Sequence, residues 1–181
     1  KDSKTSIVFV ANVQQMYNTA FELINFASII GNNKLFSRGY ETPKFRDETL
    51  NQVSEYGIAL IHPSLYDYDK ELIFNNFGST IGCIIVVIEC IWELNISADV
   101  VVMKGTDSYD GYIHNHVEYP ISLTMEAMGC TLDEGTFILL TNTPRKLFYL
   151  TFLTQPLSVE SNFDNISNIA FNTTLSLGAT N

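Results

Sequence analysis

The residues predict a mainly β chain with one N-terminal helix, an α+β class whose β part is a sandwich or a partly closed barrel. Three observations carry this expectation. Six segments with strand-like patterning crowd into roughly 100 residues after Ile81. One helical stripe stands near the start. The chain also holds 12 Phe and 9 Tyr, residue types that favour strands. Its 181 residues suit one domain, or one domain with an extension. Hydrophobic residues make up 46% and charged residues 17%, which is apolar enough for a packed core.

Ile7-Val8-Phe9-Val10 follows a short polar start. Asn12 then reads as the N-cap of a helix. Val13, Met16, Tyr17, Ala20, Phe21, Ile24 and Ala27 recur at helical spacing, and Gly31 with Asn32 and Asn33 is the stop. The stripe reads as core or subunit packing. Gly39, Pro43, Gly57, Pro63 and Gly78 punctuate the next stretch. Within it, 47–55 predicts a short helix, 57–61 a short strand and 64–69 a Tyr- and Asp-rich loop. From Ile81 the character changes. Ile84 to Ile88 fits a strand buried on both faces. Ile96, Ala98, Val100 and Val102 alternate with more polar neighbours, and 107–111 is a polar turn. Ile121, Leu123, Met125 and Ala127 alternate with Ser122, Thr124 and Glu126, the pattern of a half-buried strand. Asp133-Glu134-Gly135 marks a further turn. Strands are expected over 136–141, 146–154 and 169–177. The organisation this gives is a helix-bearing extension over 1–80, packed on the core or on a neighbouring subunit, and a β domain over 81–181.

The net charge is −10 with no basic stripe, which argues against binding nucleic acid through its phosphates. The longest apolar run, Ile81 to Trp92, contains Glu89 and is too short to span a bilayer. Cys83, Cys90 and Cys130 are odd in number and lack a CxxC pair, so a disulfide framework is not expected and a reducing compartment fits. Sequons at Asn95, Asn165 and Asn172 are discounted without a signal peptide. The chain opens on Lys1 rather than Met, which is consistent with N-terminal processing or trimming.

Chemistry-bearing motifs are sparse. His114 and His116 share a face of an extended segment, with Asp110 and Glu118 at the same parity. That set has the types to ligate a metal, but two ligands at strand spacing recur by chance, and a strand-entry role is the plainer reading. His62 precedes Pro63 with no motif around it. There is no GxSxG elbow, no phosphate-binding GxxxxGK[ST] loop and no Rossmann glycine fingerprint. No catalytic residue, metal ligand or cofactor is therefore assigned, and the chain is expected not to be an enzyme.

Residues 95–129 read NISADVVVMKGTDSYDGYIHNHVEYPISLTMEAMG. An alternating strand leads to the acidic-Gly turn Asp110-Gly111, then to Asn115-His116-Val117, then to a segment from Pro120 to Gly129. LDEGTFILLT at 132–141, FYLTFLTQPLSV at 148–159 and the segment 169–177 continue the order. Over about residues 90–178 this resembles the Dit-like family of bacteriophage tail and baseplate proteins. The resemblance implies a structural subunit that forms a homo-oligomeric ring at the tube end. Its partners would be copies of itself, tail tube and baseplate hub proteins. DNA would pass through the ring without specific binding, and no membrane would be involved. Localisation would be the virion, with host cytoplasm during assembly, and an acidic wall would let DNA slide past. The alternatives are a monomeric β-sandwich that binds a carbohydrate or protein, with Tyr66 and Tyr68 as contacts, and an enzyme with a metal at His114, His116 and Asp110.

Overall fold

Ser6–Val10 forms β1, and its neighbours in space decide the fold. In the computed structural model, which describes residues 4–32, 34, 36, 37 and 42–154, β1 is flanked by two parallel strands. One is β3, Cys83–Val87, in register Ser6↔Cys83 to Val10↔Val87. The other is β4, Ala98–Lys104, in register Ser6↔Val100 to Phe9↔Met103. β2, Ile58–Ile61, adds to the far side of β3, and β7, Thr131–Leu140, to the far side of β4. The five-stranded sheet runs β2-β3-β1-β4-β7, all parallel. β5, Asp107–Asp110, and β6, Asn115–Glu118, pair antiparallel as a separate hairpin.

This corrects the expected fold class. The protein is α/β with a parallel central sheet, not a mainly β sandwich or barrel. Parallel neighbours need crossover connections, and helices supply them. α1, Val13–Ile29, and α2, Glu48–Ser54, lie between β1 and β2. α3, Asp67–Asn76, lies between β2 and β3. α4, Ile121–Gly129, precedes β7, and α5, Thr143–Thr154, follows it. α1 packs on β1 and β3, α2 on β2, and α4 on β4 and β7. The runs Ile58-Ala-Leu-Ile61 and Cys83-Ile-Ile-Val-Val87 are buried at every position, as strands covered on both faces must be. Each fully buried Ile or Val there contributes ~1.5–3 kcal/mol relative to exposure.

Two expected strands are helices, for identifiable reasons. Residues 121–129 alternate apolar and polar, but Leu123, Met125, Glu126, Ala127 and Met128 are strong helix formers. In α4, Thr124 and Ala127, three apart, are the residues that become buried. Residues 143–154 carry Pro144 in the first turn, where a missing N–H is tolerated, and Asn142 Oδ1 accepts from Arg145 N at 3.3 Å to cap them. The loop expected over 64–69 closes into α3 from Asp67, and the polar turn over 107–111 is mostly strand β5. The turn Asp133-Glu134-Gly135 lies inside β7. There Ala98 pairs with Thr131 but Val100 with Thr136, so the extra residues bulge out. The expected strand over 169–177 lies outside the described residues, as does the end of 148–159.

The N-terminal helix forms as its stripe predicts. Asn12 caps it, accepting from Gln15 N at 2.9 Å, and Gly31 after it takes φ +69°. Met16, Ala20 and Ala27 are buried, whereas Phe21 is 54% exposed. The sheet draws strands from both sides of residue 80. The chain divides into two compact units, Lys1–Lys146 and Leu147–Asn181. In the second, the Phe148 and Phe152 rings stand 4.5 Å apart, a turn apart on α5.

Candidate site at the carboxyl edge of the sheet

In an open parallel sheet, ligands bind beyond the carboxyl ends of the strands, where the strand order reverses. Here the chain leaves β1 for β2, returns to β3, and then crosses β1 to reach β4. The crevice beyond β1, β3 and β4 is therefore where a ligand would sit, and two cavities of the first unit open at this edge.

The first cavity, about 310 Å³, is lined by Ala11 and Asn12 after β1 and by Ile88, Glu89 and Trp92 after β3. Ser108 and Tyr109 of the hairpin, Tyr119 just ahead of α4 and Leu123 within α4 complete it. Ile88–Glu93 is a 3-10 segment, which turns the chain tightly at the end of β3 and presents Trp92 at 65% exposure. Lys70 of α3 holds this segment through Glu93 at 2.7 Å, and that hydrogen bond raises the Lys70 pKa above the usual lysine value. Burial, then the nearby Asp107 carboxylate, pushes the Tyr119 phenol up to about 12. A hydrogen bond with the Ser108 side chain offsets part of that rise. No lysine or arginine lines this cavity.

The second cavity, about 370 Å³ and more open, lies beyond β4 and β7. It is lined by Lys104, Gly105, Thr106, Asp107, Leu140, Thr141 and Asn142. Its lysine is already engaged: Lys104 Nζ meets Glu22 at 3.0 Å and Thr19 at 3.1 Å on α1.

The histidines singled out in the sequence go to separate partners. His116 Nδ1 lies 3.3 Å from Asp107 Oδ1, and His114 Nδ1 lies 3.4 Å from the Tyr109 hydroxyl. Asp110 instead caps the hairpin tip, accepting from Tyr112 N at 2.7 Å. Among the described residues, no three His, Cys, Asp or Glu side chains gather as a metal site. His62, at the end of β2, has its pKa lowered, first by burial. Tyr66 and Tyr68 are exposed at the start of α3, and Arg46 sits 4.8 Å above the Tyr68 ring. Cys83 and Cys90 are buried, and burial lifts both thiols to about 11, so neither is a thiolate nucleophile at neutral pH. No helix among the described residues is long and apolar enough to cross a membrane.

Comparison with curated proteins gives the edge its context. One relative, 32% identical over 95% of the chain, is the DExH-box ATP-dependent RNA helicase DExH13 of Arabidopsis thaliana. The chain is similar to RNA helicases. The human U5 small nuclear ribonucleoprotein 200 kDa helicase is 29% identical over 93% of the chain. The zebrafish (Danio rerio) activating signal cointegrator 1 complex subunit 3 is 27% identical over 97%. The chain spans 8% of the first two proteins and 12% of the third. No family model matches the chain.

These helicase relatives overturn the tail-protein expectation. The similarity runs through nearly the whole chain, whereas the Dit-like pattern rested on strands at 121–129 and 146–154 that are helices. The phage tail ring, its tube and hub partners, the virion localisation and the carbohydrate- or protein-binding sandwich are set aside with it. The expectation that the chain is no enzyme is likewise corrected, since the relatives are ATP-dependent enzymes by name. The relatives' names place them in a small nuclear ribonucleoprotein and a signal cointegrator complex instead.

The residues that shape the first cavity escaped sequence reasoning in part. Asn12 was legible as a cap but not as a wall. Trp92, the single tryptophan, closes an apolar run and gave no motif.

Proposed function

We propose that this chain is one α/β domain of an ATP-dependent RNA helicase, and that its working face is the carboxyl edge of the sheet. The observation that carries this reading is the similarity to several RNA helicases across 93–95% of the chain. The parallel sheet and the crevice at its strand reversal support it. The chain has no GxxxxGK[ST] loop to cradle phosphates. Its part in ATP hydrolysis is therefore that of a facing surface to a domain that has such a loop. An RNA-processing assembly in the nucleus or cytoplasm is the setting this reading implies.

The test is direct. The polypeptide carrying this chain, purified from its source cells, should separate a short RNA duplex with ATP and not without it. Material that is intact and folded yet separates no duplex at any ATP concentration would overturn the reading.

A further inference from the structure

We propose that the cavity between β1 and β3 takes an unpaired nucleobase of single-stranded RNA by stacking it on Trp92, and that it rejects the phosphate backbone. The inference rests on the helicase reading in one respect: it takes RNA as the source of the base.

Charge decides first. A phosphate needs a cation or free amide donors. No lysine or arginine lines the cavity, and Glu89 does. The start of α1 opens beside it, and one of its first-turn amides is already used by the cap. Asn12 Oδ1 accepts from Gln15 N at 2.9 Å, and Gln15 Oε1 accepts from Ala11 N at 3.1 Å. This cap takes one donor from the helix start, and Glu89 on the same lining sets a negative charge against any anion that approaches it.

What the lining offers instead is flat, apolar area with a polar margin. Trp92 is 65% exposed and Tyr109 57% exposed, so both leave ring surface open to solvent. Ile88, Leu123 and Tyr119 extend the apolar wall, while Asn12 and Ser108 bring side-chain groups that hydrogen-bond a base edge. Exposed aromatic rings are stacking platforms for bases, every one of which has a π face. The segment that carries Trp92 is tied to α3, because the adjacent Glu93 meets Lys70 at 2.7 Å. At about 310 Å³ the cavity is at the small end of ligand sites, suited to a single ring system.

The single tryptophan makes the test specific, since emission reports on position 92 alone. The purified full chain is titrated with an oligouridylate and an oligoadenylate of roughly eight nucleotides, within the site sizes of single-strand binders. The same length of abasic ribose-phosphate and ATP alone are the comparison arms. The expected result is saturable quenching by both oligonucleotides, none by the abasic strand, and little by ATP. Replacing Tyr109 by Ala should weaken the quenching titration about five-fold or more. Abasic strand that quenches as well as the oligonucleotides would overturn the proposal in favour of backbone binding. Equal quenching by ATP would overturn the RNA source. A blue shift with an apolar peptide and no response to any oligonucleotide would overturn it in favour of a protein side chain. Failure of duplex separation with quenching intact would sink the helicase reading and leave the stacking site standing. Loss of quenching with duplex separation intact would do the reverse.

Discussion

Replacing Asp99 by Ala should cost ~2–3 kcal/mol of stability, because it removes a charged acceptor serving two buried donors. Asp99 Oδ2 accepts from Thr5 N at 2.7 Å and from Thr5 Oγ1 at 2.7 Å. Thr5 Oγ1 in turn accepts from Asp99 N at 3.0 Å. Thr5 is buried, so its amide has no water to fall back on. The three bonds fasten the amino ends of β1 and β4, which are 94 residues apart in sequence. They exist only if those strands lie side by side and parallel. The loss is made of an orphaned amide and an orphaned hydroxyl, ~1–3 kcal/mol each before relaxation. Urea unfolding followed by circular dichroism is the assay. With a slope of ~1–3 kcal/mol per M, the midpoint should fall by about 1 M with the slope unchanged. Thr5→Val in the same background should show a coupling of ~1 kcal/mol or more in a double-mutant cycle. Additive effects, or an Asp99→Ala midpoint equal to wild type, would refute the pairing of β1 with β4.

Other perturbations separate the elements. Thr124 is fully buried on α4 with its hydroxyl unpartnered, so Thr124→Val should be neutral or slightly stabilising and Thr124→Lys should cost ~3 kcal/mol or more; a strand facing position 124 to solvent would tolerate both in a thermal melt. Gly57 has φ +76° and faces the Phe36 backbone with no room for a Cβ, whereas Gly31 has φ +69° and open space. Gly57→Ala should therefore destabilise well beyond the ~1 kcal/mol expected of Gly31→Ala, again read by urea midpoint. Tyr119 should stay protonated until about 12, later than an ordinary tyrosine. Because its folded pKa is raised, its contribution is full below the ordinary tyrosine pKa of about 10 and is lost as pH climbs towards 12. Difference absorbance at alkaline pH between wild type and Tyr119→Phe checks this, and a normal phenol titration would contradict it.

The sequence made the first helix legible because two signals agreed there: a cap at Asn12 and a stripe from Val13 to Ala27. It made β3 legible too, since Ile84 to Ile88 is too continuously apolar for a one-sided strand. That same run was the clue to a parallel sheet, and it was outweighed by a two-residue alternation over 121–127 that α4 produces by chance. In that stretch, the helix preference of Leu, Met, Glu and Ala and the packing of Thr124 and Ala127 prevailed over the period. Strand order left no trace in the pattern, because β1 finds β3 and β4 through contacts more than 70 residues away. The candidate site was illegible for the same reason. Asn12, Trp92 and Tyr109 meet only once β1 and β3 are adjacent and the hairpin folds beside them. His114 and His116 stood out by type, yet the hairpin hands them to Tyr109 and Asp107.

Hydrogen–deuterium exchange of the chain with and without single-stranded RNA tests the carboxyl edge as the working face. Slower exchange is predicted in 11–16, 88–94 and 105–119, with the opposite edge around Thr5, Gly82 and Ala98 unchanged. Saturating RNA that protects the opposite edge, or protects neither, would contradict the account.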